Sequence, residues 1–191
     1  MTTDPEADAD LRIALRGKRV GLREFRTEDV DDSLAVVGDD RVTRFLSFDS
    51  RDREQARELI DGVITRARAL PRSEYYLAVT LPGYDSLVGF VRLGLTGVKA
   101  AKLGYAIAAD HWGNGYATDA TRTMLAFAFE RLDLRRVTAA IGPDNPASIT
   151  VVQRLGFTPE GRLRDHVFTN GAWRDSLLYS LLQPEWPGAQ R

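Results

Sequence analysis

Cysteine is absent from the sequence and histidine occurs twice. The first absence excludes disulfides and thiolate chemistry, and two imidazoles without thiols do not make a usual structural zinc site. A metal enzyme is not expected. No apolar run approaches the roughly 20 residues that span a bilayer, and Met1–Asp10 is acidic and polar where a targeting signal is basic and then apolar. The expected location is cytoplasmic, with no membrane partner. Excess positive charge is also missing. A formal net charge of −1 and a pI near 6.2 remove the broad basic surface that non-specific nucleic-acid binding draws on, so no nucleic-acid partner is expected. What remains, 43% hydrophobic and 28% charged residues, is the composition of one globular domain able to bury a full core.

Residues 1–14 are read as a flexible N-terminal tail, 15–184 as the folded domain and 185–191 as a C-terminal tail. Arg19–Arg26 reads as a strand, followed by a helix that starts at Thr27 and runs through Val37. Leu59, Ile60, Val63 and Ile64 recur at helical spacing within Ser50–Ala69, where Asp52 and Gln55 form a cap pair. Tyr75–Leu81 and Val88–Leu95 are strands expected to pair antiparallel across the turn Pro82–Asp85. Lys102–Ala108, the helix Thr118–Leu132 and the strand Arg136–Ile141 make a β-α-β unit. A helix over Asn145–Leu155 stops at Gly156, and Leu163–Phe168 with Ala172–Leu182 form a hairpin turned at Asn170-Gly171.

The chemistry concentrates after the strand that ends near Ala108. There Trp112-Gly113-Asn114-Gly115-Tyr116-Ala117 leads into a helix beginning near Thr118. Small residues let backbone close on an anion, and the unpaired N–H groups of a first helical turn point at it with the helix dipole behind them. The two glycines alone would equally make a tight strand-to-helix turn. A dinucleotide fingerprint fails, because its third glycine falls at Thr118 and Arg136–Ile141 carries no ribose-binding acid. A nucleoside-triphosphate loop fails for want of Gly-Lys-Ser or Gly-Lys-Thr.

Three ordered stretches carry a resemblance. They are Leu103-Gly104-Tyr105 with Trp112–Thr118; Asn145-Pro146-Ala147-Ser148 through Leu155-Gly156-Phe157; and Glu160-Gly161, Gly171, Trp173, Asp175 and Tyr179. Together they resemble the GNAT N-acetyltransferase superfamily, in particular its RimJ/RimL-like branch, over roughly residues 15–182 and most strongly after residue 103. The resemblance implies an α/β (mixed, α+β-like) single-domain fold: a twisted, mostly antiparallel sheet of about seven strands, splayed at an acyl-CoA site and flanked by helices. It implies acetyl-CoA as co-substrate, bound by Tyr105, Ala106, Ile107, Ala108, Trp112, Gly113, Asn114, Gly115, Tyr116, Ala117, Thr118, Asn145 and Ser148. Backbone along Tyr105–Ala108 would meet the pantetheine amides as a strand edge meets an extended peptide. The implied reaction is direct attack of a primary amine, on a protein N-terminus or a small metabolite, with Ser148 as the catalytic residue beside the departing thiolate. Asn145 would contact the cofactor or an ordered water; read locally, it caps a helix whose first residue is Pro146, and Ser148 is a surface hydroxyl. A monomer or a homodimer is the expected assembly.

The sequence departs from the family pattern at two positions. Lys102 stands where many relatives carry a glutamate base, and Val152 where many carry a tyrosine. An ammonium does not accept the proton unless its pKa is strongly depressed. The substitute pool is Glu74, Asp110, Asp165, His111 and His166. Arg51, Arg53 and Arg57 stripe the second helix and suggest an acidic acceptor if they are not merely solvated, while Tyr75, Tyr76, Phe45 and Phe48 read as core or pocket wall. A longer acyl donor and a non-catalytic acyl-CoA-binding module are the alternative readings.

Overall fold

The computed structural model describes residues 13–187. Residues 1–12 and 188–191, which hold most of both expected tails, lie outside them. Eight strands form one sheet: β1 (Ala14–Arg16), β2 (Gly21–Glu24), β3 (Glu74–Thr80), β4 (Leu87–Leu95), β5 (Ala100–Ile107), β6 (Arg136–Ile141), β7 (Thr158–Thr169) and β8 (Ala172–Leu182). Their order is β1-β2-β3-β4-β5-β6-β8-β7. Every pairing is antiparallel except β5 with β6, and that parallel step needs a crossover helix. The helices are α1 (Val30–Val37), entered through a 3-10 turn at Thr27–Asp29, then α2 (Asp40–Thr43), α3 (Arg53–Ala67), α4 (Tyr116–Ala126) and α5 (Pro146–Arg154). None of them is long and apolar enough to cross a membrane.

Alternation along the strands divides two cores. Leu77 and Val79 of β3, Val91 and Leu93 of β4, and Leu103 of β5 pack with Met124 and Leu125 of α4 and Val152 of α5. The intervening Tyr76, Ala78, Phe90 and Ala106 pack with Val36 and Val37 of α1 and Ile60 and Val63 of α3. A capping box at Asp52 and Gln55 opens α3, as the sequence leads one to expect. The β3–β4 pairing, the bounds of β6 and the turn at Asn170-Gly171, both at positive φ, also follow the sequence reading.

Several expected boundaries shift, three of them for a visible reason. The sheet has eight strands where about seven were expected, because Ala14–Arg16, at the edge of the expected tail, pairs with Gly21–Arg23. The strand expected from Arg19 starts at Gly21, since the backbone N–H groups of Arg19 and Val20 turn to the Asp119 carboxylate, at 2.7 and 3.2 Å from Oδ2. Trp186, within the expected C-terminal tail, is 7% exposed, stacks 5.8 Å from Phe129 and donates through Nε1 to Glu130. The helix expected over Thr118–Leu132 starts at Tyr116 and gives way after Ala126 to a π turn, Phe127–Arg131.

Asp119 fixes where the phosphate-type turn sits relative to the rest of the sheet. It lies in the first turn of α4, where a carboxylate meets the positive end of the dipole, and is 4% exposed. The chain crosses it so closely that a Cβ on Gly17 would stand 2.5 Å from Oδ2. Removing the carboxylate strands two backbone donors, one of them buried. Asp119→Ala should therefore lower unfolding stability by about 3 kcal/mol, read as a lower urea midpoint at unchanged m-value, with Asp119→Asn losing less.

Candidate active site

The ladder between β5 and β6 runs from Ala100↔Arg136 to Leu103↔Ala139 and stops. β5 continues to Ile107 against β4, and β6 continues to Ile141 against β8. Two central strands thus diverge, leaving the β6-facing edge of β5 without a sheet partner beyond Leu103. Two groups of the expected contact segment are engaged elsewhere: Ala108 N–H donates to Val88 O (2.9 Å), and Ile107 O accepts from the Trp112 indole (2.7 Å). Trp112 therefore braces the end of β5. The side chains of Ala106, Ile107 and Ala108 are buried in the two cores, so only their backbone is placed to serve a ligand.

Past β5, Gly113 and Gly115 adopt φ of +79° and +76°, left-handed conformations that side chains rarely take. A Cβ at either would meet nothing within 4 Å, so the turn faces open space. Gly115 is the N-cap of α4 and supplies no capping side chain, which leaves first-turn N–H groups at Tyr116, Ala117 and Thr118 without helical acceptors. Asn114 holds the turn by donating to the carbonyls of His111 and Trp112. A cleft of about 410 Å³ opens here, lined by Gly113, Asn114, Gly115 and Thr118 with Lys18, Arg19, Arg122 and Arg154. Sequence reading missed these four cations, which come from the β1–β2 loop, α4 and α5. The side chains of Trp112, Tyr116 and Ala117 do not line it; Tyr116 and Ala117 pack against the core.

On the other side of the divergence lies a larger cleft, about 1300 Å³, lined by Lys102, Gly104, Tyr105, Asn145 and Ser148 among others. Asn145 caps α5, its Oδ1 accepting from Ser148 N at 3.1 Å, and Pro146 occupies the first helical position. Asn145 is thus the cap of the local reading and still faces the cleft. The Tyr105 hydroxyl donates to Ser148 O at 3.1 Å, tying α5 to the diverging strand. Burial pushes that phenol up to about 12, against the opposing pull of the hydrogen bond, so it stays protonated.

Residues 44–51 and the β7–β8 hairpin wall the cleft, and the hairpin bolts the loop in place. Thr169 Oγ1 and Asn170 N both donate to Asp49 (2.6 and 2.7 Å), and Arg174 donates to the carbonyls of Arg44 and Leu46. Of the substitute acid–base pool, only Glu74 and His166 line this cleft. Asp110 is exposed and pairs with Arg41 at 3.1 Å, His111 lies near Tyr116, and Asp165 is exposed with φ +46°. Val152 is fully buried and cannot serve.

A bulge aims His166. From Leu163↔Ser176 to Val167↔Arg174, β7 advances four residues while β8 advances two; such bulges re-aim side chains. The ring Nδ1 sits 2.9 Å from Ser176 Oγ. Burial first, and then the Lys102 ammonium, holds the imidazole below its ordinary pKa. Glu74 is the opposite case. Burial alone would raise it, but Arg66 on Oε1 and Arg92 on Oε2 (2.7 Å) outweigh that and hold the carboxyl below its ordinary value. It is locked as an anion.

This geometry can be set beside known proteins. Residues 19–158 match the family described as Acetyltransferase (GNAT) domain. The chain belongs to the GNAT acetyltransferase family. This GNAT N-acetyltransferase is 28% identical over 174 residues to the uncharacterized N-acetyltransferase p20 of Bacillus licheniformis, covering 90% of this chain and 97% of that one. It is 42% identical over 108 residues to the putative ribosomal N-acetyltransferase YdaF of Bacillus subtilis (strain 168), covering 55% and 59%. Mycobacterium smegmatis RimJ in complex with CoA-disulfide superposes with a TM-score of 0.78 at 26% identity, over 92% of this chain and 88% of that one. The RimJ/RimL-like resemblance therefore holds in sequence and in fold.

The Glu74 clamp sets a pH dependence with a definite sign. A carboxyl whose folded pKa is depressed contributes stability above its unfolded value, near ~4.3, and loses it as pH falls through the lower folded value. Both arginines are about half exposed, which screens the pair. Glu74→Gln should cost about 1–2 kcal/mol at pH 7, and denaturation curves of the two proteins should converge as pH falls through that window.

Proposed function

We propose that this GNAT enzyme transfers an acetyl group from acetyl-CoA to a primary amine, on a protein N-terminus or a small metabolite, by direct attack in a ternary complex. The observation that carries the reading is the end of the β5–β6 ladder at Leu103↔Ala139, with an uncapped helix N-terminus on one side of the opening and a large cleft on the other. Acetyl-CoA supplies the acetyl group as a thioester, which amine attack releases as free thiol.

The residues present fit that co-substrate. Gly113, Asn114, Gly115 and Thr118 offer backbone and side-chain donors to phosphate oxygens, and Lys18, Arg19, Arg122 and Arg154 supply the counter-charge. The free edge of β5 from Gly104 to Ala106 receives extended amide groups, as a sheet edge receives a strand. Ser148, held by the first turn of α5 and facing the cleft, is the hydroxyl assigned to the departing sulfur.

His166 takes the role for which Lys102 is unsuited. It lines the cleft, it is oriented by Ser176, and its lowered pKa leaves it neutral at pH 7 and able to accept a proton from the amine. Lys102 is the charge facing it from β5, and Arg162 and Asp175, next to it on the hairpin, pair with each other.

Acetyl-CoA binding by calorimetry, followed in the same sample by thiol release with a panel of peptides and amines, tests the reading. Binding with amine-dependent release is expected. Binding without release across the panel would favour a non-catalytic module, and absence of binding would overturn the assignment. Gly115→Trp forces a bulky residue into a left-handed position at the mouth of the turn. It should weaken acetyl-CoA by about 100-fold, while near-native circular dichroism reports an intact fold. His166→Gln should lower kcat by about 100-fold and abolish the acidic limb of kcat/KM, which in the parent rises through a pKa below ~6.5. The acceptor amine titrates on the alkaline side and leaves that limb readable.

A further inference from the structure

The large cleft carries unbalanced charge. Seven cationic side chains line it against three carboxylates. Two of the carboxylates are engaged: Asp175 by Arg162 at 2.5 Å, and Glu74 by Arg66 and Arg92. The third, Asp144, has no ion pair among the described residues and stands beside Asn145 in the loop after β6. Charge is therefore unequal along the cleft, with positive charge gathered under the 44–51 loop and a free carboxylate at the α5 end.

Tyr76, a buried phenol, shares this wall with three guanidiniums, those of Arg92, Arg51 and Arg66, and the single carboxylate of Glu74. Arg66 and Arg92 share Glu74 between them. Arg51 has no such partner among the described residues. Its guanidinium lies over the Phe48 ring, 4.8 Å from the centroid, and its Nε is sealed from solvent without a hydrogen-bond acceptor. Arg51 is only partly buried and lines the cleft, so a guanidinium there with no ion pair among the described residues calls for an explanation. The rest of the expected arginine stripe gives none. Arg53 pairs outward with Asp31 at 2.7 Å, and Arg57 is exposed beyond the cleft.

Resting on the transferase reading, we infer that the acceptor amine is borne by an anion, whose carboxylate docks on Arg51 beside Tyr76 while its amino end points toward Asp144 and the diverging strands. Arginine suits this role, since its planar fork matches a carboxylate and it keeps its charge when partly buried. Arg92 adds a second positive face, already fixed by Glu74 and set 5.9 Å from the Tyr76 ring centroid. The carboxylate has two sources, a small amino acid or an acidic side chain near the N-terminus of a peptide. The recognition chemistry is shared.

The test uses acceptors in acid and amide pairs: γ-aminobutyrate with its amide, and peptides with Glu or Gln at the second position. On the full-length protein, the acid member of at least one pair should be favoured in kcat/KM by about tenfold or more, and the pair that shows it identifies the source. Arg51→Gln should raise KM for that acid and collapse the preference, with little change in kcat; Arg51→Lys should recover part of it. Arg53→Gln, the same loss of charge on the outward side, should keep the parent's preference. A second arm needs no turnover. N-acetyl-γ-aminobutyrate and its amide are titrated calorimetrically into protein saturated with CoA and into protein alone, and the acid should bind more tightly in either state. Equal behaviour of acid and amide, or a preference that survives Arg51→Gln, overturns the inference. Failure of acetyl-CoA to bind would instead strike the transferase reading, and the titration on protein alone would still report on Arg51.

Discussion

Backbone N–H and C=O groups in the middle of a sheet have to find partners, and β5 and β6 stop supplying them to each other after Leu103 and Ala139. Both strands run on, β5 held by β4 and β6 by β8, so the opening is a property of the sheet and not of a loose segment. The rest of the site is arranged around it. The turn that follows β5 delivers the bare N-terminus of α4, and the loop that follows β6 delivers the capped N-terminus of α5. Trp112 and Tyr105 are the braces, one closing off the last carbonyl of β5 and the other linking the strand to Ser148.

Charge is distributed to match. Near the glycine turn, Lys18, Arg19, Arg122 and Arg154 converge from three separate parts of the chain, outnumbering the one carboxylate there, Asp119, whose Oδ2 takes two backbone donors while Oδ1 lies 3.9 Å from Arg122. In the larger cleft, carboxylates are mostly consumed by arginine pairs, so the potential presented to an incoming molecule is set by the few groups left over. A protein of net charge −1 thus holds two locally positive surfaces, which bulk composition conceals.

What the sequence disclosed was what is local. The glycine turn, the Asp52–Gln55 cap, the Asn145–Pro146 helix start and the Asn170-Gly171 hairpin are all written within a few residues of themselves. What it concealed depends on reach. Asp119 acts on residues about a hundred positions earlier, and the cations at the turn gather from distant segments. The bulge that aims His166 has no turn signal of its own, since it is Asp165, not a glycine, that takes the positive φ. The cluster Arg51, Arg53 and Arg57 was legible as a pattern, but Arg51 falls in the loop ahead of α3 and not on the expected helix, and whether each guanidinium meets Asp31, solvent or the cleft depends on packing no periodicity encodes.

The bolts between Asp49 and the Thr169–Asn170 turn, and between Arg174 and the carbonyls of Arg44 and Leu46, join positions some 120 to 130 residues apart. Contacts of that separation require a large loop to close before they return anything, and they form after local ones. The strand, turn and helix at 100–126 need no such closure. As the ribosome extrudes the chain, the phosphate-type turn is therefore encoded and exposed well before the acceptor wall has its last strand, and a chain truncated ahead of β7 would carry the first half of the site and lack the second.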